Sequence, residues 1–162
     1  MMNRLSWDDM FMDICQLISR RSTCIKYKMA AIIVDNKKNI ISMGYNGVPS
    51  KSEHCNDYWK KKIPNNISID MCLTMNTFRF EHREWSNQNE IHAEMNAITH
   101  LSYPLLGNMY IMYTLYSPCI QCSKLIIACK YINTVIFKYT HREYEPSFML
   151  LDKSNIKLIK II

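Results

Sequence analysis

Apolar residues recur along this chain in two periods, and the switches between them mark its elements. Over residues 6–21, Trp7, Met10, Phe11, Ile14, Leu17 and Ile18 keep the three-four-seven spacing of one buried helix face. Ser6 stands where an N-cap belongs, Asp8 and Asp9 fall in the first turn, and Ser22-Thr23-Cys24 ends the helix. Cys15 lies beside the inner face and reads as a small buried hydrophobe. Residues 29–34 (Met-Ala-Ala-Ile-Ile-Val) then read as a strand, 35–39 as a polar turn and 40–44 as the returning strand of a hairpin. Residues 45–49 (Tyr-Asn-Gly-Val-Pro) form a loop at a strand end.

Periodicity fades over residues 50–89, which are rich in Asn, Lys and Ser and read as a long irregular insertion. Loops of that length inside a compact domain are uncommon and are functional or tied down. The pattern returns at 92–101, a helix with Ala93, Ala97, Ile98 and Leu101 inward, and at 109–116, a strand by its Tyr, Met and Leu content. Pro118 opens a second helix whose inner face is Leu125, Ile126 and Cys129, since a first-turn proline loses no helical bond. A strand over 132–139, a helix over 146–153 and a last strand over 156–162 complete the chain. A hairpin followed by alternating helices and strands predicts one α/β domain spanning 1–162, a three-layer α/β/α sandwich on a mixed, mostly parallel sheet.

Composition narrows the classes. Twenty Lys and Arg against fourteen Asp and Glu leave a net charge of +6. That suits an anionic ligand but is too diffuse for a nucleic-acid groove, and the one basic run, Lys60-Lys61-Lys62, reads as a solvated loop. No stretch approaches the roughly 18 apolar residues of a membrane span, and the first residues lack the apolar core of a signal peptide. A cytosolic protein is expected, in which the seven cysteines serve as metal ligands or buried thiols rather than disulfides.

The chemistry concentrates in Glu90-Ile91-His92-Ala93-Glu94 and Ser117-Pro118-Cys119-Ile120-Gln121-Cys122. His92, Cys119 and Cys122 offer one imidazole and two thiolates, a three-ligand zinc set that leaves a fourth position for water. Glu94, two residues past the histidine, is placed to move protons there. Either half alone is a weak signal; together, H-x-E with P-C-x-x-C is the known signature of zinc nucleobase deaminases. A structural zinc knuckle would want a fourth protein ligand, and none is obvious near these residues. Asn46 is chemically able to donate to and accept from a sugar hydroxyl, although Asn46-Gly47 is also an ordinary turn.

These motifs, with Gly44-Tyr45-Asn46-Gly47-x-Pro49 and the lead-in Trp85-Ser86-x-x-Asn89-Glu90-Ile91, give nearly the whole chain a resemblance to deoxycytidylate (dCMP) deaminases of the phage and viral type, within the cytidine deaminase-like fold. The resemblance implies hydrolysis of dCMP to dUMP and ammonia for thymidylate synthesis. Deaminases of dCTP or a modified dCMP, and less closely of adenosine in tRNA, are the alternatives. It implies a hexamer activated by dCTP and inhibited by dTTP, with Mg²⁺ accompanying the nucleotides. His100 and Tyr103 stand at positions bearing on that regulation. It further implies a second, structural zinc held by Cys24, Cys55, His82 and Glu90, pinning the insertion at about 50–90; the plainer alternative leaves Cys24 and Cys55 as free thiols. His54 and Cys72 lie in the same stretch without a role. Substrate contacts fall on Asn46, Ala93 and a tyrosine after the 132–139 strand, Tyr144 being chosen over Tyr139.

Overall fold

The computed structural model describes residues 4–101 and 109–162, so Tyr103 lies outside the described residues. Helix α1 (Trp7–Ser19) begins where expected: Ser6 Oγ accepts from Asp9 N at 3.1 Å and caps the first turn. Its inward face is rotated from the expected one. Phe11, Met12 and Cys15 are buried and Met10, Ile14 and Ile18 partly so, while Trp7 and Leu17 are exposed. Leu17 loses its place because the helix meets the sheet through the Phe11–Cys15–Ser19 stripe; Phe11 packs on Tyr113, and Tyr113 Oη donates to Asp8 at 2.6 Å.

Strands β1 (Ala30–Val34) and β2 (Ile40–Tyr45) form the predicted antiparallel hairpin, its turn tied by Asp35, which accepts from Lys37 N and Asn39 N. Every residue of β1 is fully buried, which accounts for its unbroken apolar run. The later strands are β3 (Tyr110–Tyr116), β4 (Ile132–Tyr139) and β5 (Lys157–Lys160), and the sheet order is β2-β1-β3-β4-β5. β1 pairs antiparallel with both β2 and β3, whereas β3–β4 and β4–β5 are parallel. The sheet is therefore evenly mixed rather than mostly parallel, because the hairpin inserts its first strand beside β3. β5 is also shorter than the predicted 156–162 segment.

Helix α1 covers one face. On the other lie α5 (Ala93–Thr99), α6 (Ile120–Cys129) and α7 (Glu145–Lys153), packed over Ala31, Ile33, Met112 and Val135. This is the three-layer sandwich expected.

The 50–89 stretch departs most from expectation. It contains three helices: α2 (Cys55–Lys62), α3 (Ile69–Thr74) and α4 (Asn76–Asn89). They close around a small core of their own, in which Cys24, Cys55, Trp59, Ile63 and Cys72 meet Tyr58, Phe78 and Trp85. Cys72 is thus a packing residue and His54 an exposed residue at the start of α2. Lys60, Lys61 and Lys62 sit in the last turn of α2, where cations suit the helix dipole, rather than in a loop.

Candidate active site

The site is assembled where α5 and α6 begin. His92 is the N-cap of α5 and Cys119 the N-cap of α6; Pro118 precedes that cap instead of standing in the helix. Cys119 O accepts the first bond of α6, from Ser123 N at 2.9 Å. One turn in, Cys122 points the same way, and Nδ1 of His92 lies 3.4 Å from Cys119 Sγ and 3.3 Å from Cys122 Sγ. The three candidate ligand atoms all fall within 4.8 Å of one another. His92 and Cys119 are partly open to solvent, while Cys122 is buried.

Two soft sulfurs and an imidazole nitrogen converging on one point are a donor set for zinc. The hydrogen bond from Cys122 holds the Cys119 thiol down at about 3, the direction that favours the thiolate form in which sulfur binds zinc. The same bond, with burial, pushes Cys122 up. The bond to Cys119 raises His92 to about 9 against the opposing effect of burial. Metal binding must displace these protons, as it does wherever thiols and imidazoles become ligands.

Glu94 is buried in the first turn of α5, with His92, Cys119 and Cys122 as its charged or polar neighbours. Burial raises its carboxyl above the ordinary range, with the His92 charge opposing. A carboxyl so placed can both take and return a proton.

The helix carrying His92 and Glu94 is held against β2 by an unusually close approach. A Cβ on Gly44 would collide with Ala93 O and Ala97 N, and only glycine permits that packing. Ser42 Oγ donates to Ala97 O at 2.5 Å, and Asn96 Nδ2 donates to Tyr45 O at 2.8 Å. Ala93 itself is buried, and its N–H, at the first position of α5, has no acceptor within the helix.

Asn46 follows directly from β2. It is buried, with Oδ1 accepting from Met29 N and Nδ2 donating to Tyr27 O, both at 2.9 Å. Each amide atom keeps one further hydrogen-bonding direction. Gly47 and Ile91 exchange two backbone bonds, of 3.1 and 2.8 Å, which set this loop beside the residue preceding His92. Tyr144 is not brought to the metal ligands: it caps the start of α7, is half-exposed, and packs edge-on against Phe148. Tyr139 pairs with Tyr116, next to the Ser117-Pro118-Cys119 turn.

A second cluster lies in the insertion. Nε2 of His82 sits 3.6 Å from Cys24 Sγ and 3.4 Å from Cys55 Sγ, and all three residues are buried. A hydrogen bond from Cys55 holds Cys24 down at about 4, while that bond and burial push Cys55 up. Glu90 adjoins Cys24. One carboxylate oxygen accepts from Ser86 Oγ at 2.6 Å; the other is buried with no hydrogen-bond partner, and burial followed by the Cys24 charge raises its pKa. Cys24, Cys55 and His82 bring their ligand atoms within 4.8 Å of one another, a group that does not include Glu90; its orphaned oxygen, near Cys24, has the chemistry of a fourth ligand. Sequence reasoning missed Ser123 and Ser147, buried hydroxyls beside the Pro118-Cys119 turn; isolated serines carry no periodic signal that would single them out.

Imidazole, paired thiolates and a buried carboxyl two residues from the imidazole, on this sandwich, define the zinc-dependent deaminase class of site. The chain belongs to the cytidine and deoxycytidylate deaminase family, whose zinc-binding region matches residues 5–139. The deoxycytidylate deaminase of Enterobacteria phage T4 is 33% identical over 158 residues, covering 85% of this chain and 80% of that protein. The phage T2 enzyme of the same name is also 33% identical, with 82% of its length covered. Among solved structures, dCMP deaminase from the cyanophage S-TIM5, in complex with dCMP and dUMP, has a TM-score of 0.70 at 23% identity. That comparison covers 98% of this chain and 99% of the other, and is a likeness of fold. Among the described residues, no helix is long and apolar enough to cross a membrane.

Proposed function

We infer that this chain hydrolyses dCMP to dUMP and ammonia, with zinc held by His92 Nδ1, Cys119 and Cys122. The observation that carries the reading is the convergence of those three ligand atoms beside the buried carboxyl of Glu94, in a chain a third identical to phage enzymes named for this substrate. Zinc, when bound, brings the pKa of a water toward neutrality. Glu94 would take one proton from a water held there and give it to N3 of the cytosine ring as the hydroxyl oxygen adds to C4; it would then take the remaining hydroxyl proton as the C4 carbonyl forms and pass it to the amino group, which leaves as ammonia. Burial raises the Glu94 carboxyl, the direction that helps it hold a proton before returning it.

Around that centre, the Ala93 main chain faces the base, and Asn46 uses its remaining donor or acceptor on the sugar hydroxyl. Tyr144, exposed at the start of α7, is retained as a candidate substrate contact. A second, structural zinc on Cys24, Cys55, His82 and Glu90 closes the insertion; the unpartnered Glu90 oxygen supports it. The same reading extends, on resemblance to the family, to a hexamer regulated by dCTP and dTTP with Mg²⁺ and working in the cytoplasm of a host cell. The exposed His100 at the end of α5 is the described residue that bears on it.

The test is ammonia release measured across dCMP, dCTP, CMP, deoxycytidine, 5-modified dCMP and adenosine in tRNA. The highest kcat/KM is expected for dCMP. Preference for dCTP or a modified dCMP would move the substrate within the class, and turnover of adenosine in tRNA alone would overturn the reading.

A further inference from the structure

The Ser117-Pro118-Cys119 turn is fastened by an element that supplies no metal ligand. Ser117 N–H donates to Tyr139 O at 2.8 Å, and His141 N–H donates to Ser117 Oγ at 2.8 Å. From α7, Ser147 Oγ donates to Pro118 O at 2.6 Å. Ser123 Oγ, on α6, lies 2.5 Å from Ser147 Oγ and 3.0 Å from Cys119 O. Both serines are fully buried between α6 and α7.

A hydroxyl in such a place is costly unless bonded, and alanine would pack there without that cost. Two hydroxyl protons serve three contacts as a relay: Ser147 O–H is given to Pro118 O, and Ser123 O–H is shared between Cys119 O and Ser147 Oγ. The relay ends on the carbonyl of the residue immediately before a thiolate ligand. The donor to Pro118 O acts on the peptide plane that Pro118 shares with Cys119.

We propose that Ser147 is a positioning residue for the metal turn. Its hydroxyl fixes the Pro118 carbonyl, and with it the backbone from which Cys119 and Cys122 meet His92 Nδ1. The proposal rests on the zinc reading of that cluster. Groups that orient metal ligands alter metal affinity or activity by about 10- to 100-fold when removed.

The experiment uses the full chain loaded with zinc and follows zinc release to a chromogenic chelator. The phase abolished by Cys119→Ser identifies the metal of this cluster. Ser147→Ala is expected to weaken that zinc about 10- to 100-fold and to leave any other zinc unchanged. Leu151→Val, a buried change on the same helix chosen to give a similar loss of thermal stability, should leave it within about threefold, below the range for ligand-orienting groups. A Ser147→Ala affinity equal to wild type overturns the proposal, and so does equal weakening by Leu151→Val, which would make the effect one of general loosening. Should Ser147→Ala fail to fold, Ser123→Ala removes the first donor of the relay and is read in the same way. A weakening of about three- to tenfold, smaller than for loss of the direct bond, supports the proposal, and no change overturns it. Failure of the zinc reading itself shows differently, since the wild type would then have no phase that Cys119→Ser abolishes.

Discussion

Two clusters of two cysteines and one histidine sit in this molecule, and their donor atoms are nearly the same. What differs is burial and the fourth group. Cys24 and His82 are 2% exposed and Cys55 not at all, whereas His92 and Cys119 are partly open. Near the buried set stands Glu90, adjoining Cys24 with one buried oxygen unpartnered; beside the open set stands Glu94, two residues from its histidine. The histidines also present different nitrogens. His92, at a helix start, offers the nearer Nδ1, and His82, inside α4, reaches out with the farther Nε2. The same three side chains thus lie buried in one place and partly open in the other.

The two are joined by very little chain. Glu90, Ile91 and His92 are consecutive, and Ile91 pairs with Gly47; Cys24 leads into the segment whose Tyr27 and Met29 hold the Asn46 amide. The buried cluster therefore frames the Asn46-Gly47 loop from two sides.

The sharpest division between the clusters comes from Glu94→Gln. An amide of the same shape cannot shuttle a proton, and general acid-base catalysis contributes about 10²- to 10⁴-fold. A kcat loss in that range is expected with zinc content and melting temperature unchanged, read by steady-state ammonia release and metal analysis. Activity comparable to wild type would remove Glu94 from the chemistry.

The opposite signature is expected at the buried cluster. Cys55→Ser should lower the zinc content from two per chain to one and cost several kcal/mol of stability, roughly 10 °C or more in Tm for a domain of this size. Turnover per remaining folded molecule should fall less than in Glu94→Gln. One zinc per chain in the wild type, unaffected by Cys55→Ser, would reduce Cys24 and Cys55 to free thiols.

The open cluster was legible in the sequence because its chemistry is local: H-x-E and P-C-x-x-C each fit on one helix start, and the strands around them have clear periods. The insertion was not, and for a physical reason. Its helix stripes run through the clustered cysteine and histidine: Phe78, His82 and Trp85 on α4, and Cys55 and Trp59 on α2 with Ile63 just past its end. A histidine in the middle of a buried stripe scores as polar and breaks the pattern, so three helices read as a loop. The reach of α7 to the metal turn through Ser147 was equally invisible, since tertiary hydrogen bonds leave no period. The rotation of α1 that exposes Leu17 reflects packing against Tyr113, a partner about a hundred residues away in sequence.

The smallest expected effect lies on the link between the clusters. Asn46 is already bonded to the backbone of Tyr27 and Met29, and each amide atom keeps one further donor or acceptor position. Asn46→Ala removes both functions, leaving a substrate hydroxyl unpaired and loosening the 27–29 segment. An unsatisfied buried polar group costs about 1–3 kcal/mol, and about 1.4 kcal/mol corresponds to tenfold. A loss of about 10- to 100-fold in kcat/KM for dCMP is expected, with both zincs retained. The comparison between dCMP and an analogue lacking the 3′-hydroxyl divides the two contributions. If Asn46 touches the sugar, the mutant should discriminate against the analogue far less than the wild type does. If its role is only to pin Tyr27 and Met29, both substrates should fall together. Wild-type kcat/KM in the mutant would make Asn46 a turn residue and assign the sugar contact to another side chain.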